Sequence, residues 1–270
     1  MTEQTAQAAS TRPSTKGVVV IPALNEERAI RAVVEEAMQY CGTVIVIDDG
    51  STDRTSEVVA DLPIERIRHA QPEGKALALR DGFRRALALG AEGVLTMDGD
   101  GQHAASDLPR LLAAAQRFPN HIVIGARLLG KDAQPDKNRI GNQQADFWVS
   151  WACGQRVVDT QSGQRYYPRA AIEIALALPH DGFVFESEIL IEAAARGVRC
   201  VSVPIASRYE EDRRASHFKP FRDVTRITRM IAWRLLRGGL MPRNYWRART
   251  QPPTIFDPDA SSQPQSVATH

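Results

Sequence analysis

The sequence predicts an α/β protein with a largely parallel sheet and helices on both faces, and three observations lead there. Short runs rich in Val and Ile alternate with stretches of helical periodicity. Several of those runs end in polar clusters, and ligands of open parallel sheets bind beyond the carboxyl ends of the strands. No repeat of fixed period is visible, which excludes solenoids and propellers. With 270 residues, 43% of them apolar and 24% charged, the chain can bury a core as one large domain with tails.

Strands are expected near 18–22, 44–47, 93–97 and 122–125, and a weaker one at 64–69. The first helix follows strand one, because Ile30, Val33, Val34, Ala37 and Met38 share a face and Asn25 is a suitable N-cap. Ser51 is the corresponding cap candidate after strand two. A helix beginning at Lys75 follows the loop 69–74. Past Arg127 come a polar loop, a helix near 142–153, a β-like segment at 164–167, a helix near 186–196 and a strand at 198–204. Residues 1–16 and 250–270 are rich in Ser, Thr, Gln, Pro and Ala without apolar periodicity and read as disordered tails.

No apolar run reaches the roughly 18 to 20 residues that span a bilayer, and the first sixteen residues lack a basic stretch followed by an apolar one. A cytoplasmic protein is expected. Cys41, Cys153 and Cys200 are few and far apart, which excludes a zinc ribbon or a disulfide framework. The net charge of +2 conceals an asymmetry, since residues 205–249 hold twelve Lys and Arg against four Asp and Glu. Such a segment points to an anionic partner. From 221 to 237, Phe221, Val224, Ile227, Thr228, Ile231 and Leu235 line one helical side, and Arg222, Arg226, Arg229 and Arg237 the other. This helix either lies on an anionic membrane or docks on the domain before it. No recognition motif accompanies the arginines, so nucleic acid is not the expected partner.

Polar clusters follow three strands: Pro22 to Glu27, Asp48 to Asp53, and Asp98 to Gln102. Asp48 and Asp49 suit a ribose hydroxyl or a base edge, or else only a turn. Asp98 and Asp100, one residue apart in an extended segment, point the same way and suit a shared hard divalent cation, or else form an ordinary acidic loop. Lys75 either meets a phosphate or is a solvated first-turn lysine. Neither Gly-x-Gly-x-x-Gly nor Gly-x-x-x-x-Gly-Lys-Ser/Thr occurs, so dehydrogenase and P-loop chemistry are not expected.

Together these motifs, with Gly125-Ala-Arg127 and Asp159-Thr-Gln-Ser-Gly163, resemble the family 2 glycosyltransferases of GT-A fold, in the branch similar to dolichol-phosphate-mannose synthase. The resemblance implies a GT-A catalytic domain over 17–205, followed by the basic segment 206–249. It places Pro22, Asn25, Glu26, Asp48, Asp49 and Lys75 around the nucleotide. It gives Asp98, Asp100 and Gln102 to Mg²⁺ or Mn²⁺, Arg127 and Arg139 to an acceptor phosphate, and active-site carboxylates to Asp159 and Glu188. It also implies transfer of one sugar, with inversion, from a nucleotide sugar to a lipid-linked acceptor of polyprenyl phosphate type, the enzyme resting peripherally on the inner face of the cytoplasmic membrane. Ser162-Gly-Gln-Arg165 departs from the family's Ser-Gly-Phe-Arg, and the Gln-x-x-Arg-Trp of processive synthases is absent. Two alternatives stay open: a hydroxyl acceptor, or a silent module that only binds a nucleotide sugar. A hydroxyl acceptor requires a base, with Asp159 the first candidate and Glu188 the second, whereas a phosphate is already anionic and requires positioning. Asp159 is otherwise a turn residue, Glu188 a helix-face acid, and His217 either a further metal or phosphate contact or incidental.

Overall fold

A computed structural model describes residues 17–129, 136–179, 184–206, 220–237 and 239–260. Seven strands run β1 (Val18–Ala23), β2 (Thr43–Asp48), β3 (Glu65–Arg68), β4 (Gly93–Thr96), β5 (His121–Leu129), β6 (Arg165–Pro168) and β7 (Arg199–Ala206). They form one sheet in the order β3-β2-β1-β4-β6-β5-β7, parallel except for β6, which pairs antiparallel with both neighbours. The weak stretch at 64–69 is therefore a true strand, pairing Ile47 with Ile67.

Alternation along the strands builds two cores. Val20, Ile45 and Ile47 face one side, where they meet α2 (Lys75–Ala88), α5 (Arg169–Ala177) and α6 (Phe185–Ala195). Val19, Ile21, Val44 and Val46 face the other, under α1 (Ile30–Tyr40) and α3 (Leu108–Arg117). Three further helices, α4 (Asp136–Cys153), α7 (Pro220–Arg237) and α8 (Pro242–Thr250), complete the first side. Cys41, Cys153 and Cys200 are buried free thiols, as packing residues would be.

Three local expectations are corrected. Asn25 does not cap α1, which starts at Ile30 after Ala29; it takes a left-handed φ of 57° and its Oδ1 accepts from Thr52 N at 2.9 Å. Ser51 likewise caps no helix: its Oγ accepts from Asn25 N at 2.9 Å, and only a 3₁₀ turn at Glu57–Val59 lies between β2 and β3. Short polar residues serve loop-to-loop bonds as readily as caps, so the local pattern does not separate the two.

The third correction is at the C-terminus, where residues 251–260 are ordered against the sheet edge. Ser202 N donates to Thr254 O and Phe256 N to Ser202 O, both at 2.9 Å. Phe256 packs on Phe118 with centroids 5.7 Å apart, and Arg110 pairs with Asp257 at 2.8 Å. The strap covers the otherwise open edge of β7. Residues 1–16 and 261–270 lie outside the described residues.

The basic helix also resolves. Ile231 and Leu235 of α7 are fully buried in the core shared with α2, α4 and α6, so this part of the helix docks on the domain. Arg234 on α7 ion-pairs with Glu192 of α6. The side chains of Phe221, Arg222, Val224, Arg226 and Ile227 lie outside the described residues, as does His217.

Candidate active site

The loops after β1, β2 and β4 lie side by side at the carboxyl edge of the sheet, because β1 pairs with both β2 and β4. The first two lock together. Glu26 N donates to Thr55 Oγ1 at 2.7 Å, and Glu27 N to Asp53 Oδ2 at 3.2 Å. Asp48 and Asp49 are both buried, and their oxygens serve the protein itself. Asp48 Oδ1 accepts from Ser51 N at 2.9 Å, and its Oδ2 from the Ser56 hydroxyl. Asp49 accepts from Glu73 N and Gly74 N, each at 2.8 Å, and contacts His69 Nδ1 at 2.8 Å. Burial would lower the His69 pKa, but Asp49 and Asp81 outweigh it and raise it. Gly50 sits at φ 72° with its Cα against the loop 69–74 after β3: a Cβ there would lie 2.3 Å from the Gln71 carbonyl carbon, so only glycine fits.

Asp49 therefore holds the loop that presents Lys75. From the first turn of α2, Lys75 Nζ reaches Asp98 Oδ1 at 2.7 Å and Glu186 Oε2 at 3.0 Å. Its pKa is raised, because although burial opposes the charge, Asp98 and Glu186 more than compensate. Burial would raise the Asp98 pKa, yet Lys75 and His103 hold it at about 2. The Lys75 and Asp98 side chains keep 36% and 29% exposure, so this pair lies on the floor of an open cleft.

Beneath it is a drier cluster. Arg127, at the end of β5, sends N and Nε to Asp159 Oδ2 at 2.8 Å and Nη2 to Oδ1 at 2.6 Å, a two-pronged ion pair 15% and 10% exposed. Burial would raise the Asp159 pKa, but Arg127 outweighs it and holds it below the usual carboxylate range. Asp159 has a φ of 55°, and α4 braces it: Asp146 accepts from Asp159 N at 2.9 Å and Thr160 N at 2.7 Å. Burial pushes Asp146 up to about 6, against the Thr160 hydrogen bonds that lower it. Arg165, fully buried, ties the loop by donating to Ser162 O and Thr160 O, both at 2.7 Å, and to Glu186 O at 3.2 Å. His103 is buried and its pKa is lowered, chiefly by burial, so the ring is neutral at pH 7.

Gly163 sets the distance between this loop and Asp98. A Cβ on it would lie 2.1 Å from Asp98 Oδ2. Gly163→Ala is expected to displace the Asp98 carboxylate and weaken donor binding roughly tenfold or more. Calorimetric titration with the nucleotide sugar checks this; unchanged affinity means Asp98 does not touch the donor.

Asp98, Lys75, Arg127 and Asp159 thus share one region, with Asp49 behind Lys75. Asp100 Oδ1 accepts from Gln102 N at 2.9 Å in the same loop. Pro22 pairs with Ile47 at the end of β1. Arg139 belongs to α4 and its side chain lies outside the described residues. Glu188 is buried on α6, two positions and about 200° around the helix from Glu186, the acid that faces Lys75. Glu186, Asp146 and Arg165 escaped sequence reasoning as site residues. The only available signals were acidic residues opening a helix and an arginine starting a β-like run.

Among the described residues no three His, Cys, Asp or Glu side chains are grouped to hold a metal. The donor set still suits a hard divalent cation, since Asp98 is ionised at any working pH and carboxylate oxygens are its preferred ligands.

Comparison with known proteins agrees with this geometry. The Glycosyl transferase family 2 model matches residues 18–172, more than half of the chain. A UDP-N-acetylglucosamine–dolichyl-phosphate N-acetylglucosaminyltransferase of Methanococcus voltae is 30% identical over 217 residues, covering 72% of this chain and 86% of the relative. The polyprenol monophosphomannose synthase of Mycolicibacterium smegmatis is 30% identical over 210 residues, covering 73% and 79%. The solved glucosyl-3-phosphoglycerate synthase of Mycobacterium tuberculosis, in complex with UDP, superposes with a TM-score of 0.60 at 19% identity over 85% of this chain and 80% of that one, a likeness of fold. With the sheet order, the acidic strand ends and these matches in agreement, the chain has the GT-A fold and belongs to glycosyl transferase family 2, as an enzyme of that family.

Proposed function

We propose that this glycosyltransferase moves a single sugar from a nucleotide-sugar donor to a polyprenyl-phosphate-type lipid, with inversion, at the cytoplasmic face of a membrane. The observation that carries the choice of acceptor is the Arg127–Asp159 fork. A hydroxyl acceptor requires a carboxylate able to take its proton, and efficiency falls as the pKa of that base drops far below the working pH. Asp159 is buried, bound through both oxygens and depressed in pKa. Glu186 is engaged by Lys75. A phosphate monoester is already anionic at pH 7 and needs only alignment, which a rigidly held guanidinium supplies. In this scheme Asp159 is a positioning residue that fixes Arg127.

The names of the relatives support the same acceptor class, since they act on dolichyl and polyprenol phosphates by their descriptions. Residues at the ends of β1 and β2, with Pro22, Asn25, Glu26, Asp48 and Asp49, shape the nucleoside side of the cleft. Lys75 faces the diphosphate, exchanging Asp98 for a phosphate oxygen. Asp98, Asp100 and Gln102 would hold Mg²⁺ or Mn²⁺, which when bound neutralises charge growing on the departing diphosphate. The M. tuberculosis synthase of like fold was solved with Mn²⁺ and UDP.

The test uses a labelled nucleotide sugar, polyprenyl phosphate in detergent, and Mn²⁺ or Mg²⁺. One sugar per lipid, abolished by EDTA and restored by metal, is expected. Transfer only to an uncharged alcohol, or full activity in EDTA, overturns the proposal.

A further inference from the structure

At the edge of the sheet opposite the cleft, where β7 begins, α4, α6, α7 and α8 enclose a cavity of about 280 Å³. Ile191 and Met241 line it together with the polar Gln155 and Asn244 and three arginines, Arg199, Arg234 and Arg247. Glu192 pairs with Arg234. Arg199 and Arg247 are exposed and have no carboxylate partner among the described residues, so among those residues the lining holds more positive than negative charge. Burial of apolar surface beside unmatched guanidiniums suits an amphiphilic anion.

The surface around the cavity is apolar. Trp233, Leu240 and Trp246, each next in sequence to a residue lining the cavity, are 62%, 51% and 67% exposed. Leu236 is exposed as well, and Arg237 lies 5.6 Å from the centre of the Trp233 ring. The helix α8 adds Arg243 and Arg249 and contains no acid. Trp beside Arg is the composition of a membrane interface, where the ring sits at headgroup level and the guanidinium meets lipid phosphate. The surface is rigidly joined to the domain: Trp151 Nε1 donates to Leu240 O at 3.0 Å, and Tyr245 packs on Trp151 with centroids 5.0 Å apart. Phe147, exposed on α4, packs on Tyr245 with centroids 6.4 Å apart and directly follows Asp146, which braces Asp159.

We propose that this arginine-lined cavity binds the phosphate headgroup of an anionic phospholipid, with Trp233, Leu236, Leu240 and Trp246 resting in the bilayer interface. The protein then lies along a membrane by the outer surface of α4, α7 and α8, and not by Ile231 and Leu235 of α7, which are buried. The proposal rests on the lipid-acceptor reading for its biological purpose and on its own residues for its chemistry. No described helix is long and apolar enough to cross a membrane, so attachment through these residues has to be peripheral.

Flotation with vesicles of phosphatidylcholine, alone or with phosphatidylglycerol, tests it on the full chain. Binding to the anionic vesicles only, weakened by salt, is expected. Arg199→Gln with Arg247→Gln should lower partitioning roughly thirtyfold, and Trp233→Ala with Trp246→Ala at least tenfold, with unchanged melting temperatures. Wild-type partitioning in both double variants overturns the proposal. So does binding of inorganic phosphate without vesicle binding, or a dimer in solution that the tryptophan variants dissociate. Turnover of a short, water-soluble polyprenyl phosphate is measured alongside and should be unchanged in all variants. Flotation without that turnover in the wild type refutes the acceptor and spares the headgroup site, and turnover without flotation does the reverse.

Discussion

Replacing Arg127 by alanine is expected to lower the melting temperature by on the order of 10 °C and to stop transfer to a lipid phosphate. Removing one partner of a buried ion pair leaves the other charge uncompensated, at a cost of about 3–5 kcal/mol. Asp159 is the charge left behind, buried and already braced by Asp146. In the wild type the Asp159 pKa is depressed, so its contribution is present above the unfolded value of about 3.9 and is lost as pH falls through the lower folded value. In Arg127→Ala, burial raises that pKa instead. The stability gap between the two proteins should therefore be widest at neutral pH, shrink as pH falls through the raised value of the variant, and close only below the depressed value of the wild type. Thermal melts at pH 7 and pH 4 measure it. The double variant Arg127→Ala with Asp159→Asn should regain stability but not transfer. Equal melting temperatures for wild type and Arg127→Ala would sink the buried-pair account, and wild-type transfer by that variant would sink the acceptor assignment.

Asp98→Asn should cut turnover roughly 10²- to 10³-fold while leaving the fold in place. The substitution keeps the side-chain shape that Gly163 accommodates and removes the charge. Lys75 retains Glu186 as a partner, and both Lys75 and Asp98 are partly exposed, so solvent screens the loss. The melting temperature should move by no more than a few degrees. Metal-dependent stabilisation by a nucleotide sugar, seen as a rise in melting temperature in the wild type, should vanish in the variant. A variant that turns over at the wild-type rate with saturating donor and Mn²⁺ would show that Asp98 holds neither the donor nor a cation.

Much of the fold was legible from local pattern. Apolar runs bounded by polar turns located β1, β2, β4, β5 and β7 to within a few residues, because strands buried on both faces must be apolar along their length, whereas β3 and β6, with Arg in each, were legible only as a weak and a β-like stretch. α5 and α8 were not recognised: the first is one short apolar stretch after β6, and the second is polar with Arg at almost every turn. The candidate site was legible as residue types at strand ends. Asp98 and Lys75 could be named because chemistry-bearing residues cluster where parallel strands stop.

What the sequence determined by itself is therefore the family, the sheet with its helical layers, and some of the charged residues that lie near the cleft, Lys75 and Asp98 among them. Tertiary structure alone decided how those groups are spent. It paired Asp159 with Arg127, brought Glu186 rather than any acid named from the sequence alone to Lys75 beside Asp98, and employed Asp49 in holding a loop. It also buried Ile231 and Leu235 of α7 while leaving Trp233 and Leu236 in the open. The physical reason is range: alternation and helical period are set by neighbours along the chain, whereas ion pairing and burial depend on groups dozens of residues apart, such as Arg127 and Asp159, whose meeting only the packed sheet determines.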